Sequence, residues 1–138
     1  MTITRREFSF GLGAAGIASA APTTLRAEAF PDRTVRIIVP FSAGGSADVT
    51  ARIVAEALNA AWGQPVIIEN KPGAGTTVAS GFVARAAPDG YTLYLAYNQS
   101  FAATASLYRS LPYDPIKDFT PVTLVADAPF VLSIGTGV

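Results

Sequence analysis

Val35-Arg36-Ile37-Ile38-Val39-Pro40-Phe41-Ser42-Ala43-Gly44-Gly45-Ser46-Ala47-Asp48 decides the fold. The β-branched run Val35 to Pro40 predicts a strand, and the glycine pair predicts a break. From Asp48 to Trp62, apolar residues at Val49, Ile53, Val54, Ala57, Leu58, Ala61 and Trp62 form one stripe of a helix. Ser46 is its expected N-cap, Asp48 lies in its first turn and Gly63 follows its end. The same pattern then repeats. Pro65 to Glu69 predicts a second strand and Gly73-Ala74-Gly75 a second break. Thr76 or Thr77 is placed to cap a second helix, striped by Val78, Phe82, Val83 and Ala86 and stopped by Pro88. Asp89-Gly90 turns the chain into a third strand, Tyr91 to Tyr97. A β-α-β-α-β order with helical crossovers implies a doubly wound α/β unit on a parallel sheet. The few charges in the first two strands suit a sheet covered on both faces.

Beyond Tyr97 the rhythm changes. Asn98 to Tyr108 predicts a short helix with Leu107 and Tyr108 packing inward. Leu111-Pro112-Tyr113-Asp114-Pro115 predicts a rigid loop. Val122 to Ala126 and Phe130 to Ile134 read as further strands about a turn at Asp127-Ala128-Pro129. No helical pattern follows the last of them, which leads us to expect that a second domain begins there. At the other end, Arg5-Arg6, the apolar run Ser9 to Ala21 and Ala27-Glu28-Ala29 resemble an export signal of twin-arginine type cleaved after Ala29; general secretory export remains an alternative. The expected layout is therefore a signal peptide over residues 1–29, an α/β ligand-binding domain over 30–110, and the crossover and first strands of a second domain over 111–138.

Composition narrows the chemistry. The chain has no cysteine and no histidine, which removes thiolate metal sites, disulfides and the Ser-His-Asp triad. Ten basic residues balance ten acidic ones, so no basic face calls for nucleic acid. No metal, no cofactor and no catalytic residue is expected.

What remains is anion binding. Phe41-Ser42-Ala43-Gly44-Gly45-Ser46 and Lys71-Pro72-Gly73-Ala74-Gly75-Thr76-Thr77 each lead from the carboxyl end of a strand into a helix N-terminus, where ligands of open α/β sheets sit. The first helical N–H groups lack partners, the helix end is partly positive, and glycine lets a ligand approach the backbone. Two such loops together suit a carboxylate or phosphate. The dinucleotide fingerprint fails in both: the first loop has no third glycine in register, and Val78 stands where the second needs one. The phosphate-loop Gly-Lys-Ser/Thr is also missing, so a Rossmann-type enzyme is a minor alternative. Asp48 has two readings, as a first-turn helix charge or as a residue that shapes the Gly44-Gly45 loop or accepts from a ligand amine. Asn98 and Ser100 either donate to a ligand carboxylate or cap the short helix.

In order along the chain stand Phe30-Pro31-Asp32-Arg33, Ile38 to Gly45 with Asp48, Gly63-Gln64-Pro65-Val66, Glu69-Asn70-Lys71-Pro72-Gly73-Ala74-Gly75, Ala87-Pro88-Asp89-Gly90-Tyr91-Thr92-Leu93, Ser106-Leu107-Tyr108 and Leu111 to Phe119. This series resembles the Bug family of periplasmic solute receptors across residues 30–134. The resemblance implies a two-domain Venus-flytrap fold, of which this chain would hold the first domain and only the start of the second. It implies that Phe41, Ser42, Ala43, Gly44, Ser46 and Asp48, with Gly75, Thr76 and Thr77, grip one carboxylate, partly through ordered water. It implies delivery to membrane transporter subunits; a role as a ligand-sensing module for a signalling partner is the alternative. Thr76-Thr77 stand where many relatives have another glycine, and the added hydroxyls would favour a more polar ligand.

Overall fold

A computed structural model describes residues 29–129 together with Leu132 and Ser133. Strands β1 (Val35–Val39), β2 (Val66–Asn70) and β3 (Thr92–Tyr94) form a parallel sheet in the order β2-β1-β3. Helix α1 (Ser46–Trp62) links β1 to β2, and α2 (Thr77–Ala84) carries the chain from β2 across β1 to β3. The expected β-α-β-α-β unit is present. Val35 pairs with Val66 and Ile38 with Glu69 on one side of β1, while Arg36 pairs with Thr92 and Ile38 with Tyr94 on the other.

Strand alternation divides β1 between two faces. Val35, Ile37 and Val39 pack with Ala47, Ala51 and Ala55 of α1 and with Val66 of β2. The alanines let α1 lie close to the sheet, and Val54, Leu58 and Trp62 seal the margin. Ile38 faces the other way and is fully buried. On that side α2 packs against β1 and β3 through Ala79, Ser80 and Gly81, all buried. Each fully buried aliphatic side chain contributes about 1.5–3 kcal/mol relative to exposure, so β1 is the thermodynamic centre of the unit.

Several local expectations are corrected. Helix α1 starts at Ser46 with Gly45 as its cap, and no side chain caps it. Ser46 is therefore the first helical residue, and Asp48 reaches back from the first turn to the Gly44 amide instead. Gly63 does close the helix, in the left-handed conformation, donating to Asn59 O at 3.0 Å. Neither threonine caps α2 as expected: Thr76 is itself left-handed, and the Thr77 hydroxyl donates back to Ala74 O.

Past β3 a π turn, Gln99–Ala103, runs into the short helix α3, Thr104–Leu107. Leu107 and Tyr108 are 77% and 43% exposed rather than inward, because the helix buries Ser100 and Thr104 instead. The anchor of this region is Tyr113, buried with its ring edge-on to Phe119 at 5.7 Å; Phe119 in turn meets Phe101 and Tyr94. Residues 121–129, which include the strand expected over Val122 to Ala126, carry no regular structure. A strand exists only through a partner's backbone, and among the described residues none pairs with it. The expected strand Phe130 to Ile134 lies, except for Leu132 and Ser133, outside the described residues, as does the expected signal peptide over residues 1–29, except for Ala29.

Candidate functional site

Three loops leave the carboxyl ends of the three strands and meet at one edge of the sheet. The order β2-β1-β3 puts a topological switch point between β1 and β3, the place where open α/β sheets bind ligands.

The first loop, Phe41 to Gly45, is held by Asp48. Its carboxylate accepts from the Gly44 amide at 3.0 Å, from Arg52 Nε at 2.8 Å and a second Arg52 nitrogen at 3.2 Å, and from Asn70 Nδ2 at 3.0 Å. Asp48 is 3% exposed. The Arg52 hydrogen bonds, then those from Gly44 and Asn70, hold its carboxyl far below the usual carboxylate range, so it stays ionised. Of its two readings the loop-shaping one matches this geometry: both oxygens are occupied, and none of that capacity is left for a ligand amine. Gly44 has φ +87°, and a side chain there would project into open space. The first bond of α1 runs from Val49 N–H to Gly45 O. The amides of Gly45, Ser46 and Ala47 therefore have no helical carbonyl to donate to. Phe41 closes the flank with its ring edge-on to Tyr97 at 5.0 Å.

The second loop consists of four consecutive residues with positive φ: Gly73 at 135°, Ala74 at 45°, Gly75 at 60° and Thr76 at 78°. Left-handed alanine and threonine store strain, which gathers at ligand clamps. A Cβ on Gly75 would lie 3.0 Å from the Tyr108 hydroxyl and 3.7 Å from Gln99 Nε2. Gln99 and Tyr108 thus overhang this loop. Thr77 is half-buried, but Thr76 is turned inward; it is 2% exposed, and its hydroxyl makes no hydrogen bond of good geometry among the described residues, only a marginal contact with the Tyr94 phenol.

The third loop separates the two residues weighed together above. Asn98 is exposed at the edge and its side chain caps nothing. Ser100 is fully buried; its hydroxyl accepts from Tyr94 Oη at 2.9 Å and from the Tyr97 amide at 3.4 Å. Tyr94 Oη also meets Ser80 Oγ at 2.9 Å, and Tyr113 Oη donates to Ser100 O at 2.7 Å. Burial pushes the Tyr94 phenol up, so this hydroxyl cluster is neutral. Ser100 supports the loop from beneath and does not line its surface.

Phe41, Ser42, Ala43, Gly44, Ser46, Gly75, Thr77 and Asn98 are the candidates left on or near the surface of this edge. Asp48, Thr76 and Ser100 lie below it. Sequence reasoning missed Asn70, Arg52, Gln99 and Tyr108. Asn70 and Arg52 carried a signal, since one ends β2 and the other stands four residues after Asp48 on α1. A hollow of about 450 Å³ at the other end of the sheet is lined by Arg33, Arg36, Arg85 and Phe82. Asp89 pairs with Arg33 and Glu69 with Arg36, so most of its charge is compensated locally. Its backbone donors are not gathered as they are at the glycine loops, which remain the better candidate.

The chain is similar to known proteins of one family. Residues 50–137 match the family model described as "Tripartite tricarboxylate transporter family receptor", a family of receptors and not of enzymes. Protein BugT of Bordetella pertussis is 41% identical over 133 residues, covering 96% of this chain and 40% of its own length. Among solved structures, MatC from Rhodopseudomonas palustris with bound malate is 47% identical with a TM-score of 0.66, covering 70% of this chain and 33% of that one. A second R. palustris protein, solved with adipate, is 36% identical with a TM-score of 0.61, covering 67% of this chain and 31% of that one. The chain thus spans well under half the length of the relatives it matches.

Proposed function

We propose, since the chain belongs to the tripartite tricarboxylate transporter receptor family, that its glycine-rich edge is the first-domain wall of a periplasmic receptor cleft that binds a small dicarboxylate and delivers it to membrane transporter subunits. One observation carries the reading. Two loops of left-handed and glycine residues leave the carboxyl ends of the paired strands β1 and β2, one of them opening onto amides of Gly45, Ser46 and Ala47 that have no partner among the described residues. Backbone N–H groups and the positive helix end stabilise a carboxylate without a cationic side chain. The backbone of Phe41 to Ser46 would take one ligand carboxylate, with Gly75, Thr77 and Asn98 beside it. The bound malate and adipate of the two neighbours support the ligand class. A second domain closing over this edge would exclude water, which is where a flytrap gains affinity.

The test is calorimetry on the intact protein with L-malate, adipate and citrate, before and after Gly44→Val. Valine at φ +87° strains the loop, while its Cβ meets no neighbour. The expected result is binding of at least one acid, weakened by about tenfold or more in the variant, while the circular dichroism spectrum is kept. Equal affinity in the two proteins for every acid bound refutes the assignment.

A further inference from the structure

We infer that Asn70 is a positioning residue of the carboxylate site, the clamp that holds the first glycine loop in its binding shape. The inference rests on the reading of that loop as a carboxylate grip.

Asn70 is the last residue of β2 and lies opposite Val39, the last residue of β1. Its side chain extends over the point where β1 becomes the loop. There one amide nitrogen donates both of its hydrogens: one to Phe41 O at 3.0 Å, the other to Asp48 Oδ1 at 3.0 Å. Phe41 opens the loop, and Asp48 grips its far side through the Gly44 amide at 3.0 Å. Asn70 therefore closes a ring from the start of the loop, through Asp48, to Gly44. Both groups it meets are acceptors, so only the nitrogen of its amide fits there. An oxygen in the same place would face a carbonyl and a carboxylate with nothing to donate.

Neighbouring contacts fix the strand beneath. Lys71 N–H donates to Val39 O at 2.8 Å, continuing the ladder past Asn70. Arg52 occupies the remaining reach of the Asp48 carboxylate. Asp48 therefore has its charge balanced from α1 and its direction set from β2. The amides on either side of the tethered Gly44, up to the start of α1 at Gly45 to Ala47, would face the ligand, so freedom in this ring becomes freedom in the donors. Loss of preorganisation weakens binding even when the fold is intact.

The test compares Asn70→Ala and Asn70→Asp in the intact protein. Asp has nearly the shape of Asn, so if Asn70 only filled space, Asn70→Asp would bind almost as well as the unaltered protein and Asn70→Ala would bind worse. The clamp predicts the reverse order. At pH 7 a second carboxylate against Asp48 pushes the loop open, and Asn70→Asp binds L-malate and adipate more weakly than Asn70→Ala. Asn70→Ala itself loses about tenfold, the scale of one or two hydrogen bonds. The Gly44 amide gives a second readout, its proton resonance moving upfield and its hydrogen exchange rising in both variants. Asn70→Asp binding as tightly as the unaltered protein, with the Gly44 resonance unmoved, overturns the inference. If the unaltered protein takes up neither acid, the carboxylate reading is at fault, and the Gly44 resonance and exchange alone decide whether Asn70 clamps the loop.

Discussion

Replacing Thr76 by glycine should make this protein more stable, although the position is buried. Thr76 has φ +78°, and left-handed backbone costs a residue with a side chain about 1–2 kcal/mol. Its hydroxyl is buried and makes no hydrogen bond of good geometry among the described residues, only a marginal contact with the Tyr94 phenol, a state that costs about 1–3 kcal/mol. Glycine removes both penalties. Against this stand the extra freedom of glycine in the unfolded chain, about 0.5–1 kcal/mol, and the lost burial of two carbons, Cβ and the methyl group, about 1.6 kcal/mol. The bonds from Thr76 N–H to Gly73 O and from Ser80 Oγ to Thr76 O use only the Thr76 backbone and persist. The balance favours the variant by about 1 kcal/mol, which raises Tm by about 2–8 °C depending on domain size. Thr76→Ala keeps the strained φ but removes the orphan hydroxyl, so it should melt between the two. Calorimetry or urea unfolding measures the series. A Thr76→Gly protein that melts below the unaltered one refutes the reasoning, and would mean that the hydroxyl has a partner worth more than the strain it entails.

Two further outcomes follow from single contacts. The Asp48 carboxyl is held below its ordinary value in the folded state, so the stability it contributes is fully present above the unfolded carboxylate pKa of about 4 and is lost as pH falls below that toward the folded value; Asp48→Asn should therefore flatten the acid limb of a Tm-against-pH curve, and an unchanged limb would count against the hub. Tyr113→Phe removes the 2.7 Å hydrogen bond to Ser100 O while keeping the ring against Phe119, so stability should fall by about 1 kcal/mol in urea unfolding; a loss near the ~3–5 kcal/mol of a deleted aromatic side chain would show that the ring packing had gone too.

The α/β core was legible because its signals are local. Val35 to Val39 is β-branched, α1 is periodic, and the glycines that end each strand lie next to the residues they govern. The layout of the candidate edge was legible for the same reason: the glycine loops leave the carboxyl ends of β1 and β2, and Asp48 stands in the first turn of α1. Contacts between distant residues were hidden. Asn70 meets Asp48 from 22 residues away, announced only by its place at the end of β2, and Tyr108 reaches Ala74 across 34 with nothing in its local stretch to announce the pairing. The inward turn of Thr76 was hidden too. Threonine before a helix reads as a cap, and only a run of positive φ values sends its side chain the other way. Ser100 was misplaced by the same logic, since a serine after a strand reads as an edge donor until Tyr94 and Tyr97 claim its hydroxyl. Val122 to Ala126 shows the converse limit, for β-branched composition favours a strand yet cannot provide the partner a strand requires.

The buried Asp48 raises the question of how an anion can be attracted to a loop built on a carboxylate. Arg52 answers most of it. The guanidinium donates to both oxygens at 2.8 and 3.2 Å, so the pair presents little net charge to the loop. What remains above it is the fixed field of oriented amides at the start of α1, which favours negative charge and reorganises little when the charge arrives. A lysine or arginine reaching into the loop would attract the ligand from farther away, but a buried ion pair with the ligand would also be slower to break. A receptor has to release what it carries. Under the proposed function, neutral backbone donors, oriented by a charge that is itself neutralised one turn along the same helix, would combine selectivity for carboxylates with an affinity that the closing and opening of a second domain could switch.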